Sequence, residues 1–273
     1  LSGLVGSEMC IRDSSDASIR YIHRILPEGD MYFVCNLQDR VEPVTLQFRV
    51  TGRSVGVWDA VTGTITENIA ATDDGKTTFV TLPLQPHESL FFVFTNKNPK
   101  AAPAVAFRED RPSTSTPVEG PWTVTFPPNL GAPSEPVTYE QLTSWTDNPD
   151  DRIKHFSGTA SYRKTIILDK PAKGSRLFLD LGNLPHLAEV FLNGKNLGVV
   201  WTKPARVDIT SAAKKGNNDL EIRVTNVWKN RLVGDAKLEP AKRITWSNWP
   251  FYKGNEPLEV SGLLGPVAVI SEK

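Results

Sequence analysis

Within residues 226–235 the chain carries an amide (Asn226), an indole (Trp228), a second amide (Asn230), a guanidinium (Arg231) and a carboxylate (Asp235). A polyhydroxylated ligand needs that mixture: an apolar ring covers its C–H faces, and planar donors and acceptors pair with its hydroxyls. The same residues also allow an architectural arrangement, in which an Arg231–Asp235 ion pair locks the loop and Trp228 packs beside it. Asn226 continues the inward register of Leu220, Ile222 and Val224, so it must find a partner where its strand leaves the sheet. A second aromatic concentration surrounds Pro250: Trp246, Trp249, Phe251 and Tyr252. It suits either a platform for such a ligand or an interface between domains, and Trp201 carries the same two readings.

No catalytic residue is expected in the chain. Asp59, Asp74, Asp180 and Asp208 fall at strand ends, in turns or on an outward strand face, where carboxylates commonly cap nearby backbone N–H groups or face solvent. His23, His87, His155 and His186 are scattered, with no i, i+4 pair for a metal, and no Gly-x-Ser-x-Gly presents a nucleophile. Cys10 and Cys35 make neither a disulfide framework nor a metal cluster, and Cys35, in an apolar strand, reads as a buried inert thiol. Lys plus Arg and Asp plus Glu both number 31, so the formal net charge is zero. Nothing in that balance asks for nucleic acid or an anionic membrane, whereas a neutral ligand such as a sugar fits it. No apolar run approaches the roughly 18–20 residues of a membrane helix.

Strands must position these groups. The 273 residues suggest about two domains at roughly 100–200 residues each. Val44, Leu46, Phe48 and Val50 alternate with Thr45, Gln47 and Arg49, the period of a strand with one buried face. Residues 31–37 and 90–94 are apolar on both faces and read as central strands. With Gly52, Gly63, Asp74-Gly75 and Pro86 as punctuation, about seven strands fit between Ile19 and Thr95, enough for a small sandwich. Residues 97–120, rich in Pro, Ala, Ser and Thr, read as an extended linker, of which 105–107 can lie on a neighbouring domain. Beyond it, Leu177, Leu179 and Leu181 alternate, as do Leu220, Ile222 and Val224. Asn193-Gly194 between apolar flanks marks a hairpin, because both residues tolerate positive φ. Residues 138–145 read as one short helix, and 210–215 as a helical turn ended by Gly216. The fold class is therefore all-β, with two β-sandwich domains at 15–96 and 121–273.

Longer motifs carry a resemblance. SGTASYRKTI, LFLDLGNLPHLAEVFLNGKNLGVVWTKPARVDIT and KKGNNDLEIRVTN resemble the jelly-roll sugar-binding module of family 2 glycosidases. VTNVWKNRLVGD and SGLLGPVAV resemble the C-terminal region of glycoside hydrolase family 106, the α-L-rhamnosidases, as do IHRILPEGDMYFVCN, VWDAVTG and LPLQPHESLFFVF upstream. The resemblance implies that the second domain is a galactose-binding-like jelly roll. It also implies that the parent is an inverting α-L-rhamnosidase, with its catalytic barrel preceding this segment and calcium needed at its active site. The implied partners are a rhamnose-containing glycan and that barrel, and Asn226, Trp228, Asn230, Arg231 and Asp235 become candidate substrate contacts. Two other readings remain open: a family 2-like β-galactosidase or β-glucuronidase, and a free-standing carbohydrate-binding protein. In the family 2 enzymes the module usually precedes the barrel, and the closing strand at 261–269 favours a terminal module instead. Residues 1–14 resemble the translation of a sequencing adapter and are expected to lie outside the fold, as an artefact or a disordered leader.

Overall fold

The computed structural model describes residues 9–12, 18–95, 104–105, 107, 112–169 and 174–272. The chain is all-β and divides into two units, Leu1–Asp110 with Thr202–Pro204, and Arg111–Trp201 with Ala205–Lys273.

The first unit holds β1 (Met9–Arg12), β2 (Ile19–Leu26), β3 (Gly29–Asn36), β4 (Glu42–Phe48), β5 (Ser54–Asp59), β6 (Thr64–Thr66), β7 (Thr72–Asp73), β8 (Thr78–Leu84) and β9 (Ser89–Thr95). They form a five-stranded sheet, β2-β3-β9-β5-β6, and a four-stranded sheet, β1-β4-β8-β7. The doubly apolar strands β3 and β9 lie inside the larger sheet, and the alternating β4 buries Val44, Leu46 and Phe48. Phe48 gathers the core, its ring 4.9 Å from that of Tyr32 and 5.1 Å from that of Phe94. The outer face of the larger sheet carries a cross-strand apolar row, with Ile22 opposite Phe33, Phe33 opposite Phe91, Phe91 opposite Trp58 and Trp58 opposite Ile65. Cys35 shares that outer register and is half-buried, not buried as expected, because alternation turns Tyr32 and Val34 inward and the odd positions outward.

Two further expectations meet a different structure. In the stretch 1–14, Met9–Arg12 forms β1, antiparallel to β4 with Met9 opposite Phe48. The edge of β4 presents unpaired N–H and C=O groups, and an adjoining extended segment satisfies them. The other residues of that stretch lie outside the described residues. Within 97–120, Val105 bonds across to Asn68 and Ala70, at 2.9 Å each, and Phe107 packs on the core of the first unit. Ser113–Pro117 is a strand, its β-branched alternation suiting an edge. Residues 97–103, 106 and 108–111 lie outside the described residues.

The second unit is a β-sandwich of a six-stranded and a four-stranded sheet. Its strands are β10 (Ser113–Pro117), β11 (Trp122–Thr125), β12 (Val137–Tyr139), β13 (Thr159–Leu168), β14 (Arg176–Asp180), β15 (Leu187–Leu192), β16 (Lys195–Val200), β17 (Arg206–Asp208), β18 (Gly216–Thr225) and β19 (Ala268–Glu272). The six-stranded sheet β12-β11-β13-β18-β15-β16 faces the four-stranded sheet β10-β19-β14-β17. Tyr162, Leu179, Val190, Ile222 and Leu263 fill the space between. At its end Trp145 Nε1 donates to the Tyr162 hydroxyl at 2.6 Å, which also accepts from Leu263 N at 3.2 Å. Burial pushes the Tyr162 hydroxyl well above its ordinary pKa, so it stays neutral. Asn193 and Gly194 turn the β15–β16 hairpin at φ 53° and 78°. The helix expected at 138–145 is absent: Tyr139 pairs with Trp122, and Trp145 opens a single 3₁₀ turn. Pairing with β11 overrides a weak local preference. The turn expected from Thr210 does form as one helical turn, with Ala212 N and Ala213 N both donating to Ile209 O, at 3.0 and 2.9 Å, before β18 starts at Gly216. Two α-helices occur among the described residues, α1 (Asp151–Lys154) and α2 (Lys229–Ala236).

Candidate functional site

All five residues singled out between 226 and 235 come together where β18 leaves its sheet and α2 begins. Asn226 is buried, and its side chain is fully used: Oδ1 accepts from Gly158 N at 2.9 Å, and Nδ2 donates to Phe156 O and Ser261 Oγ at 3.0 Å each. Asn230, wholly buried, donates to Glu259 O at 2.7 Å and to Ser261 Oγ at 3.1 Å, and accepts from Glu259 N at 2.7 Å. Ser261 is thus a shared hub that residue chemistry alone did not single out, although it lies in a motif carrying the resemblance. Both amides act as backbone splints, tying α2 to chain far away in sequence.

Arg231 and Asp235 stand one helical turn apart and form a buried ion pair, Nη2 to Oδ1, at 3.0 Å, with side-chain exposures of 7% and 4%. Asp235 Oδ2 accepts from Ile244 N at 3.1 Å, Thr245 N at 2.7 Å and Thr245 Oγ1 at 2.6 Å. The carboxylate therefore pins the start of the aromatic loop to the helix. Arg231 Nε is buried without a hydrogen bond. A Cβ on Gly234 would come within 2.7 Å of Arg231 Nη2 and 2.8 Å of His155 Cβ, so only glycine lets helix, guanidinium and imidazole pack this closely.

His155 is buried, with Nδ1 at 3.0 Å from Asp151 O and Nε2 at 3.2 Å from Lys237 Nζ. A neutral ring that donates from Nδ1 and accepts at Nε2 satisfies both contacts. Burial, helped by the neighbouring Lys237 and Arg231 charges and opposed by Asp151, holds its pKa below the ordinary value.

Trp228 is the outward member of the group, 52% exposed. Across from the helix, Trp246, Trp249 and Phe251 are 84%, 65% and 66% exposed. A small cavity of about 120 Å³ lies among Asp235, Arg243, Thr245, Trp249, Phe251 and Tyr252. The arrangement can offer apolar rings and a few polar rims to a ligand or to another protein surface, while the buried amides and ion pair hold it in place.

Other carboxylates have local duties. Asp59 accepts from Val61 N, Asp74 from Lys76 N and Thr77 N, Asp180 from Gly182 N, and Asp208 from Thr210 N. Among the described residues, no group of three His, Cys, Asp or Glu is placed to hold a metal ion. Among the described residues, no helix is long and apolar enough to cross a membrane.

Comparison with known proteins bears on this arrangement. Residues 4–71 match the α-L-rhamnosidase family, glycoside hydrolase family 106, and residues 145–256 match the glycosyl hydrolase 2 galactose-binding domain-like family. Each of these two stretches is thus similar to a module of glycoside hydrolases. The solved rhamnosidase of Novosphingobium sp. PP1Y superposes with a TM-score of 0.85 at 34% identity, over 98% of this chain and 25% of that one. A Formosa agariphila protein bearing the name "Putative beta-glucuronidase" is 39% identical over 175 residues, 55% of this chain and 15% of that protein. A β-glucuronidase of the same organism is 30% identical over 98 residues, 33% of this chain and 10% of that protein. The chain thus spans a quarter or less of the length of each of these relatives.

Proposed function

We infer that the chain is the accessory, sugar-binding and structural part of an inverting α-L-rhamnosidase acting on rhamnose-containing glycans. One observation carries the choice of substrate class. The likeness to the Novosphingobium rhamnosidase extends over 98% of the chain, both units included, whereas the more identical glucuronidase relative matches 55% of it. The 39% identity of that relative keeps a β-glucuronidase as the second reading.

In this reading the catalytic barrel lies in the rest of a longer protein. Inversion needs an acid and a base about 6.5–9.5 Å apart with room for water between them. Asp59, Asp74, Asp180 and Asp208 are instead engaged as turn caps, so the pair belongs to the barrel, and so does calcium. Trp228 and the loop with Trp246, Trp249 and Phe251 face the active-site side of that barrel. Asn226, Asn230, Arg231 and Asp235 act as positioning residues behind them. The apolar row from Ile22 to Ile65 is a further surface for the barrel to cover, since an exposed apolar row on a sheet face favours burial.

Assays of the longer protein and of the 273-residue chain against aryl α-L-rhamnosides and aryl β-D-glucuronides test this. The longer protein is expected to release the aglycone from the rhamnoside, and the chain alone from neither. Hydrolysis of only the glucuronide establishes the second reading, and turnover by the purified chain places the carboxylates here after all.

A further inference from the structure

The outer face of the six-stranded sheet carries a second set of ligand-suited groups, away from the loop. Alternation sends Tyr162, Leu220, Ile222 and Val190 into the core, which turns Arg163, Thr165, Asp219, Glu221, Arg223, Glu189 and Phe191 outward. Pairing then lines them up in rows. Thr123 stands opposite Arg163, Arg163 opposite Glu221, and Glu221 opposite Phe191, across β11, β13, β18 and β15. At about 4.8 Å between strands, that row is roughly 14 Å wide. It forms the floor of an open cleft of about 380 Å³, which the hairpin turn at Gly194 closes at one end. Small-molecule sites measure about 300–1,000 Å³.

The groups in the cleft are held by one another. Glu221 Oε1 accepts from Arg163 Nη2 at 3.2 Å and from Arg223 Nε at 2.9 Å. Burial pushes the Glu221 carboxyl up, but the hydrogen bonds from Arg223 and Arg163 outweigh it and keep the group below the usual carboxylate range. The Arg223 guanidinium packs 4.2 Å from the centre of the Phe191 ring. Thr165 Oγ1 donates to Asp219 Oδ1 at 3.2 Å. Among the described residues this leaves Arg163 Nε and Nη1, Asp219 Oδ2 and the Thr123 hydroxyl without a hydrogen-bond partner, all lining one space.

We propose that this cleft is a second glycan-binding surface, which takes a neutral saccharide segment along the row from Thr123 to Phe191. The proposal rests on the reading of the chain as a glycan-handling module and adds a subsite to it. Chemistry selects the occupant. An anionic ligand would meet Glu221 and Asp219, and a cationic one Arg163, with Arg223 behind it on Glu221. An apolar protein surface would have to strip water from these charges without replacing their hydrogen bonds. A hydroxyl both donates and accepts, so it pairs with guanidinium and carboxylate alike, and the part of Phe191 that lines the cleft beside Arg223 offers apolar surface to C–H groups.

Titration calorimetry of the 273-residue chain with a neutral rhamnan tetrasaccharide tests this, with an oligogalacturonide as the anionic control. Binding is expected for the neutral sugar, weakened tenfold or more by Phe191→Ala and by Arg163→Gln. Thr123→Val serves as a third variant should Phe191→Ala fail to fold, judged by its thermal midpoint. Three results overturn the proposal: no binding of the tetrasaccharide, tighter binding of the oligogalacturonide, or loss of binding in Trp249→Ala with none in the cleft variants. None of them touches the rhamnosidase reading, which depends on turnover by the longer protein.

Discussion

Arg231 with Asp235, and Arg163 with Glu221, use the same chemistry in the same sandwich to opposite ends. The first pair is 7% and 4% exposed and closes a helix against the loop that follows it. The second is 58% and 19% exposed and lies on an open sheet face. Each has aromatic company, Trp228 and Trp249 near the helix and Phe191 on the sheet. What separates them is access to water. A buried pair has already lost its hydration and must satisfy itself, so it becomes architecture. An exposed pair keeps donors and acceptors available, so it can recognise. Composition points equally to both places, and burial decides which of them can meet a ligand.

Breaking each pair in turn sharpens the comparison. Arg231→Ala should have the largest effect, destabilising the second unit by about 3–5 kcal/mol, because it strands the Asp235 carboxylate in the interior. Urea denaturation reads this directly, and a loss below about 1 kcal/mol would mean that the pair is solvated. Arg163→Gln should cost at most about 1 kcal/mol, the usual value of an exposed pair, while it weakens saccharide binding. A variant that unfolds instead would erase the contrast.

Acidity should separate the two regions by pH window. The pKa of His155 is depressed on folding, so its neutral form contributes stability above the ordinary imidazole value of 6.5, lost as pH falls below that. The pKa of Glu221 is depressed from 4.5, so the sheet network keeps its contribution through that first window and loses it only below the ordinary carboxylate value. Thermal midpoints measured from pH 7.5 to 3.5 should therefore fall in two stages. His155→Gln should shrink the first, to which His186, its pKa also lowered by burial, contributes as well, and leave the second; an unchanged first stage assigns it elsewhere. The smallest effect is expected from deleting residues 1–14, within about 0.5 kcal/mol. β1 joins only the outside of a sheet whose β4–β8 pairing remains, and a drop above about 1 kcal/mol would show that this edge matters more.

Strand positions were legible because alternation is local: Val44, Leu46 and Phe48, or Leu220, Ile222 and Val224, announce a buried face without reference to any partner. The Asn193-Gly194 hairpin was legible for the same reason, since positive φ is a property of those two residues. Tyr139 was not, because its conformation depends on pairing with Trp122. The clustering of Asn226, Trp228, Asn230, Arg231 and Asp235 could be read from their closeness along the chain. Their separation into one exposed ring and four buried splints could not, because Ser261, Glu259, Phe156 and Thr245 arrive from elsewhere in the sequence.

The sequence by itself determined the all-β class, the inward registers and the family resemblance, all of which rest on neighbours along the chain. The tertiary structure alone decided that Arg163, Glu221 and Phe191 share one row. They sit on β13, β18 and β15, strands that are not consecutive, and their alignment depends on a sheet order and register set by packing of the opposite face. Each outward side chain is polar or aromatic for reasons any solvent-facing strand could supply. Only the closure of the sandwich behind them brings a guanidinium, a carboxylate and a ring within reach of a single ligand.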